Sequence, residues 1–234
     1  AISAQITHGG SFVTGMKVKG RTISSSGGFN PAGMLKGNFL QRAMNAADME
    51  RVTAEFVAAA RLAREAGFDA VELHMGHGYL LNQFISPLSN RRQDEYGGSP
   101  ENRVRFPARV LAAVKQAVGD TTAVLAKINV ADGTRRGASV EDGVVTAQAL
   151  QAAGADMLVL SGGRNVESTW FMFGSRMNRE EISRVLRQQG DWLTALMMKA
   201  AASREPDISF REMYFLEYSR RIRAAVELPL AYLG

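Results

Sequence analysis

The chain has 234 residues, 46% of them apolar and 22% charged, with a net charge of +5 and no cysteine. That length suits one large α/β domain or two small ones, and the composition excludes a disordered chain. The missing cysteines exclude disulfides, thiolate zinc sites and iron–sulfur ligation within this segment, and no apolar run approaches the ~18 residues of a membrane span.

The opening "AISAQITHGG" lacks the basic region and cleavage site of a signal peptide, so a cytoplasmic protein is expected. Basic residues are scattered beside acids, as in "RRQDE" and "SREPD". The densest cluster, "SRRIRAAV" (219–226), has the spacing of a solvated helix face, so neither a nucleic-acid nor a membrane partner is expected.

In chain order, "ISAQIT" (2–7) reads as a first strand, and the glycine-rich "SSSGGFN" (24–30) as loop. "DMERVTAEFVAAARLAREAG" (48–67) has apolar residues at helical spacing, with Asp48 as N-cap and Gly67 as the stop. "FDAVELH" (68–74) is a strand. The next helix opens at "SPENRVRF", capped by Ser99 with Pro100 at the first helical position. "AVLAKINV" (123–130) is a strand, "SVEDGVVTAQALQAAG" (139–154) a helix, and "ADMLVLSGG" (155–163) a strand. Residues 164–207 interrupt this rhythm and read as an insertion or lid, with Trp170, Phe171, Phe173 and Trp192 covering a substrate or packing on the domain. A helix over 209–227 and a strand over 228–234 follow. Apolar strands alternating with helices predict a parallel sheet, which an open doubly wound fold and a closed (β/α)8 barrel satisfy equally. Both ends fall inside or beside strands, which reads as a piece of a longer barrel.

His74, His77 and Tyr79 stand where a strand gives way to a helix, with Gly76 and Gly78 permitting a sharp turn. Imidazoles there can donate hydrogen bonds to a carbonyl or nitro oxygen, and a phenol can deliver a proton. Two histidines without a carboxylate make an incomplete metal set, so no metal is expected. Loop histidines satisfied by backbone groups are the competing use, and the residues alone do not choose.

"HMGHGYLLNQFISPLSNRRQDEYGGSPENRVRF" resembles the signature of the old yellow enzyme family, the FMN-dependent ene-reductases and NADH:flavin oxidoreductases. "AAARLAREAGFDAVELH" and "YFLEYSRRIRAAVELPLAYLG" are similar to the family as well. The resemblance implies a (β/α)8 barrel, present here from about its third to its seventh strand, so that 1–234 is an incomplete FMN-binding domain. It implies FMN as cofactor, NADH or NADPH as electron donor, and a small activated alkene as substrate; a homo-oligomer is compatible with it. His74 and His77 match the pair that holds the substrate's electron-withdrawing oxygen, and Tyr79 matches the proton donor. Gln5 matches the glutamine on the flavin's pyrimidine edge, and Lys127 stands where most members have arginine. Gly234 falls where the family's phosphate-binding loop begins. The "H.GR" of many members is "HGGS" here, with Gly10 at the arginine position and no role assigned to His8. Asn129 is left unassigned, and "SGG" (161–163) is read as a turn that could line the flavin site. The reaction implied is reduction of an activated C=C bond. An oxidative demethylase or dienoyl-thioester reductase on the same scaffold, or a non-catalytic barrel acting as a binding module, are the alternatives.

Overall fold

The computed structural model describes residues 1–13, 21–30, 38–175, 179–188, 190, 192, 195–196, 209–210 and 212–232. Five parallel strands, β1 (Ser3–Ile6), β5 (Ala70–Met75), β6 (Ala123–Asn129), β7 (Met157–Ser161) and β8 (Leu230–Tyr232), lie side by side in that order. Each crossover therefore moves one strand in the same direction. A doubly wound sheet reverses direction at a switch point, whereas a barrel does not, so the order identifies consecutive staves of a barrel. The sheet remains open among the described residues, with β1 and β8 as its edges.

The crossovers are helical. α1 (Ala46–Glu65), α3 (Pro100–Val118), α4 (Val140–Ala152) and α7 (Leu216–Arg223) each pack against the next, as in the outer ring of a barrel. Val71, Leu73 and Met75 of β5 and Val124, Ala126 and Ile128 of β6 are buried in the core, which also holds Phe84, Phe106 and Phe215. The alternate positions Glu72, His74, Leu125 and Lys127 lie on the other face.

Helix starts follow the local sequence. Ser99 caps α3 with Pro100 inside its first turn, and Ser139 caps α4 in a box with Asp142. The cap expected at Asp48 is corrected: Asn45 is the N-cap and Asp48 is the reciprocal third helical residue of the same box. Arg42 pairs with the Asp48 carboxylate and, with backbone N–H donors, holds its pKa well below the usual range. Arg103 is buried and donates to the Ile85 carbonyl at 2.8 Å and to Asp142 at 2.7 Å, tying α3 to its neighbours on both sides.

Two further expectations are corrected. Residues 24–30 are not all loop, because β2 (Thr22–Ser24) and β3 (Gly28–Phe29) flank β4 (Leu40–Ala43) in a second, three-stranded sheet. This sheet is fixed from outside: Arg92 donates to the carbonyls of Ser25 and Met44. The helix expected over 209–227 occupies only Leu216–Arg223, since Met213 turns left-handed (φ 57°) just before it. Within 164–207, α5 (Thr169–Phe173) and α6 (Arg179–Gln188) are the described helices. There Phe171 packs on Phe215 and Tyr218, while Phe173 and Trp192 are exposed. No helix among the described residues is long and apolar enough to cross a membrane.

Candidate active site

β5 ends at Met75, and the chain turns back at Gly76. A β-carbon there would come within 2.6 Å of Asn129 Oδ1, so only glycine lets the loop pass so close to the end of β6. His77 follows in the left-handed region (φ 59°), which costs a non-glycine residue energy and persists only where neighbours enforce it. They do so here. Asn129 Oδ1 accepts the His77 backbone N–H at 3.1 Å, and the His77 carbonyl accepts from Asn165 N–H at 3.1 Å.

Gly78 is gripped on both sides of its peptide. Its N–H donates to Asn82 Oδ1 at 2.9 Å, and its carbonyl accepts from Gln83 Nε2 at 2.7 Å. Gln83 also reaches the loop after β1, donating to the Gly9 carbonyl and accepting from Ser11 N–H. A β-carbon at Gly10 would lie 2.4 Å from Gln83 Oε1, so an arginine at that position would displace the amide. His8, beside it, accepts the Gly10 N–H on Nδ1 at 3.0 Å.

The two rings are buried and joined. Gly76 N–H donates to His74 Nδ1 at 3.2 Å, which puts the His74 proton on Nε2. His74 Nε2–H then donates to His77 Nδ1 at 3.2 Å, and His77 Nε2–H to Ser161 Oγ at 2.8 Å. This is the only assignment that gives every contact one donor with both rings neutral. Burial, with the Lys127 charge second, pushes the His74 pKa down to about 4. Burial, then His74 and Lys127, pushes His77 to about 3. At pH 7 both imidazoles are neutral hydrogen-bond donors.

Tyr79 caps the short helix α2 (Leu80–Ile85) and packs edge-on to His74, with ring centroids 4.8 Å apart, and against Phe12 at 5.9 Å. Its hydroxyl makes no hydrogen bond among the described residues. Lys127 lies directly across from His74 in the parallel ladder, half-buried and without an ion pair among the described residues. Gln5 stands on β1 opposite Glu72, to which its side-chain amide donates.

The expected residues thus divide. His74, His77, Tyr79 and Lys127 come together at the strand ends. Gln5 lies one layer deeper, and Gly234 falls outside the described residues. Ser161 does more than turn the chain, since its Oγ accepts the His77 Nε2–H hydrogen bond, and Asn129 holds His77 in place. Period-two spacing from Lys127 along β6 points to Asn129. Ser161 carries no such signal, because its partner lies 84 positions away. Among the described residues, no three His, Cys, Asp or Glu side chains cluster as a metal site.

Fold and site together define a parallel α/β barrel segment with His74, His77, Tyr79 and Lys127 gathered at the C-terminal ends of the strands. The sequence matches the NADH:flavin oxidoreductase / NADH oxidase family over residues 2–194, and the chain belongs to that family of FMN enzymes. It is 34% identical over 235 aligned positions to the 4,4'-dithiodibutanoate disulfide reductase of Rhodococcus erythropolis, covering 99% of this chain and 56% of that protein. An NADPH dehydrogenase of Geobacillus sp. (strain WCH70) is 47% identical over 120 residues, 51% of this chain and 35% of that protein. An old yellow enzyme homologue from Zymomonas mobilis superposes with a TM-score of 0.66 at 21% identity, over 100% of this chain and 56% of that one. The chain thus spans roughly half the length of these curated relatives, or less.

The site suits the family's FMN. Lys127, a half-buried ammonium beside the histidine pair with no carboxylate partner among the described residues, has the charge that would suit a flavin ring gaining negative charge on reduction.

Proposed function

We propose that the protein containing this chain is an FMN-dependent NAD(P)H oxidoreductase that reduces C=C bonds activated by an adjacent oxygen-bearing group. The observation that carries this reading is the juxtaposition of two neutral imidazole donors, one phenol and one ammonium, unpaired among the described residues, at the ends of β5 and β6. When bound, FMN supplies hydride, taken from NADH or NADPH. Lys127 would hold the flavin's electron-rich edge, and Gln5 would contribute its amide from the layer below.

The chain's own groups would do the rest. His74 Nε2–H and His77 Nε2–H would exchange their present acceptors, His77 Nδ1 and Ser161 Oγ, for the substrate's oxygen. Those bonds strengthen as charge develops on that oxygen, which lowers the barrier rather than merely tightening binding. Tyr79 would protonate the α-carbon, its unengaged hydroxyl being free to approach it. Expressed as the complete protein, the Tyr79→Phe variant should still be reduced by NADPH yet lose ~100-fold or more in alkene reduction. Loss of both half-reactions, or of neither, would reject Tyr79 as the proton donor.

A second reading is favoured by the Rhodococcus relative, whose similarity extends over 99% of the chain. In a disulfide reductase, Tyr79 would protonate the departing thiolate instead of a carbon. Assaying 2-cyclohexenone and 4,4'-dithiodibutanoate side by side separates the two.

A further inference from the structure

A cleft of about 610 Å³ opens behind the loop that carries the histidine pair. Three arginines from three separate loops line it: Arg91 beyond α2, Arg136 beyond β6 and Arg164 beyond β7. Among the described residues only one carboxylate, Glu167, shares the lining, while Phe29 and Leu88 give it an apolar wall. Arg136 has no ion pair or hydrogen bond among the described residues. Arg91 commits Nη2 to the Gly27 carbonyl at 2.9 Å and its backbone N–H to Ser26 Oγ at 2.8 Å, while its other guanidinium N–H groups make no hydrogen bond among the described residues. Arg164 is buried, pairs with Glu167 at 3.2 Å and donates to Asn82 Oδ1 at 3.1 Å.

The cleft is joined to the reactive groups in two places. The Arg164 guanidinium carbon lies 3.7 Å from where a side chain at Gly78 would begin, and Asn82 links the two. Ser11 lines the cleft while its neighbour Phe12 packs against the Tyr79 ring. Guanidinium groups recognise carboxylate and phosphate through paired N–H donors, and a surplus of two such charges beside an apolar wall selects an amphiphilic anion.

We propose that this cleft is an anion subsite that takes a carboxylate on the tail of the substrate, so that the enzyme prefers acids among activated alkenes. The inference rests on the proposed function for the identity of the reacting group. A phosphate of the nicotinamide nucleotide has the same chemistry and is the rival source.

The test uses the complete FMN-loaded protein and two enones, neutral 4-phenylbut-3-en-2-one and its counterpart with a carboxylate on the far end of the ring, 4-(3-oxobut-1-enyl)benzoate. In Arg136→Gln, kcat/KM for the acid relative to the neutral enone should fall about tenfold, the loss of roughly 1.4 kcal/mol. Arg220→Gln, an exposed arginine away from the cleft, should leave that ratio unchanged. Calorimetric titration of the oxidised protein with the acid should show the same tenfold weakening in Arg136→Gln. If neither enone is reduced but that weakening persists, the subsite stands and the proposed function fails. An unchanged ratio together with unchanged binding would overturn the subsite, as would a loss confined to NADPH measured against NADH.

Discussion

Val71, Leu73 and Met75 point into the helical layer and are fully buried, while Glu72 and His74, on alternate positions of the same strand, face the other way. β6 repeats the arrangement, with Val124, Ala126 and Ile128 inside and Leu125, Lys127 and Asn129 opposite. One face is held by apolar contact with the helices. The other carries a cation, two imidazoles and an amide, none of which a hydrophobic core would accept unpaired. The apolar core and the proposed chemistry therefore fall on opposite sides of the same few strands. The strand's period of two keeps them apart, and substitutions one residue from each other should have effects of different kinds.

Leu73→Ala should test the stabilising face most severely. Its fully buried side chain contributes to the core from the position next to His74, and truncation should cost ~2–5 kcal/mol in denaturant unfolding. A loss below ~1 kcal/mol would show that the core does not depend on this face.

The second prediction concerns the imidazoles. An unfolded chain protonates both below pH ~6.5, whereas the folded rings resist protonation until about 4 for His74 and about 3 for His77. Unfolded chains thus bind more protons in this window, and stability falls as pH drops from 6.5 toward 4. The slope should reach up to ~1.4 kcal/mol per pH unit for each ring, and replacing His77 with Asn should halve the pair's share. Unfolding measured from pH 7 to pH 4.5 on wild type and variant checks this, and equal slopes would contradict it.

The smallest effect sharpens the comparison within the polar face. Lys127→Met removes a charge that depresses both imidazole pKa values, so both should rise in NMR titrations. Burial, the larger cause for each ring, remains, so neither should return to 6.5.

The strands and main helices were legible because their signals are local: β5, β6 and β7 are short apolar runs, and Ser99 is a cap readable from its next three residues. The cap of α1 was misplaced by three positions because both members of its box are short polar residues. The second sheet was missed for a different reason. Its strands are two to four residues long, the turn joining β2 to β3 is made of serine and glycine, and the carbonyls of Ser25 and Met44 beside them are held by Arg92, 67 and 48 residues further along. Local sequence likewise located His74, His77 and Tyr79, and resemblance supplied Lys127. Neither could show that Ser161 accepts the His77 hydrogen bond, since the crossover that brings them together is set by packing. The unpaired Arg136 in the cleft follows from loop geometry alone.

The hydrogen bonds from Gly76 through His74 and His77 to Ser161 all run in one direction, and that polarity gives the two histidines unequal readiness. Surrendering the His77 proton to an incoming oxygen leaves only the Ser161 hydroxyl to reorient. Surrendering the His74 proton strips a buried acceptor, His77 Nδ1, of its sole donor. Under the proposed function, an arriving substrate should therefore engage His77 first and His74 second, making docking an ordered, two-stage event rather than a simultaneous grasp.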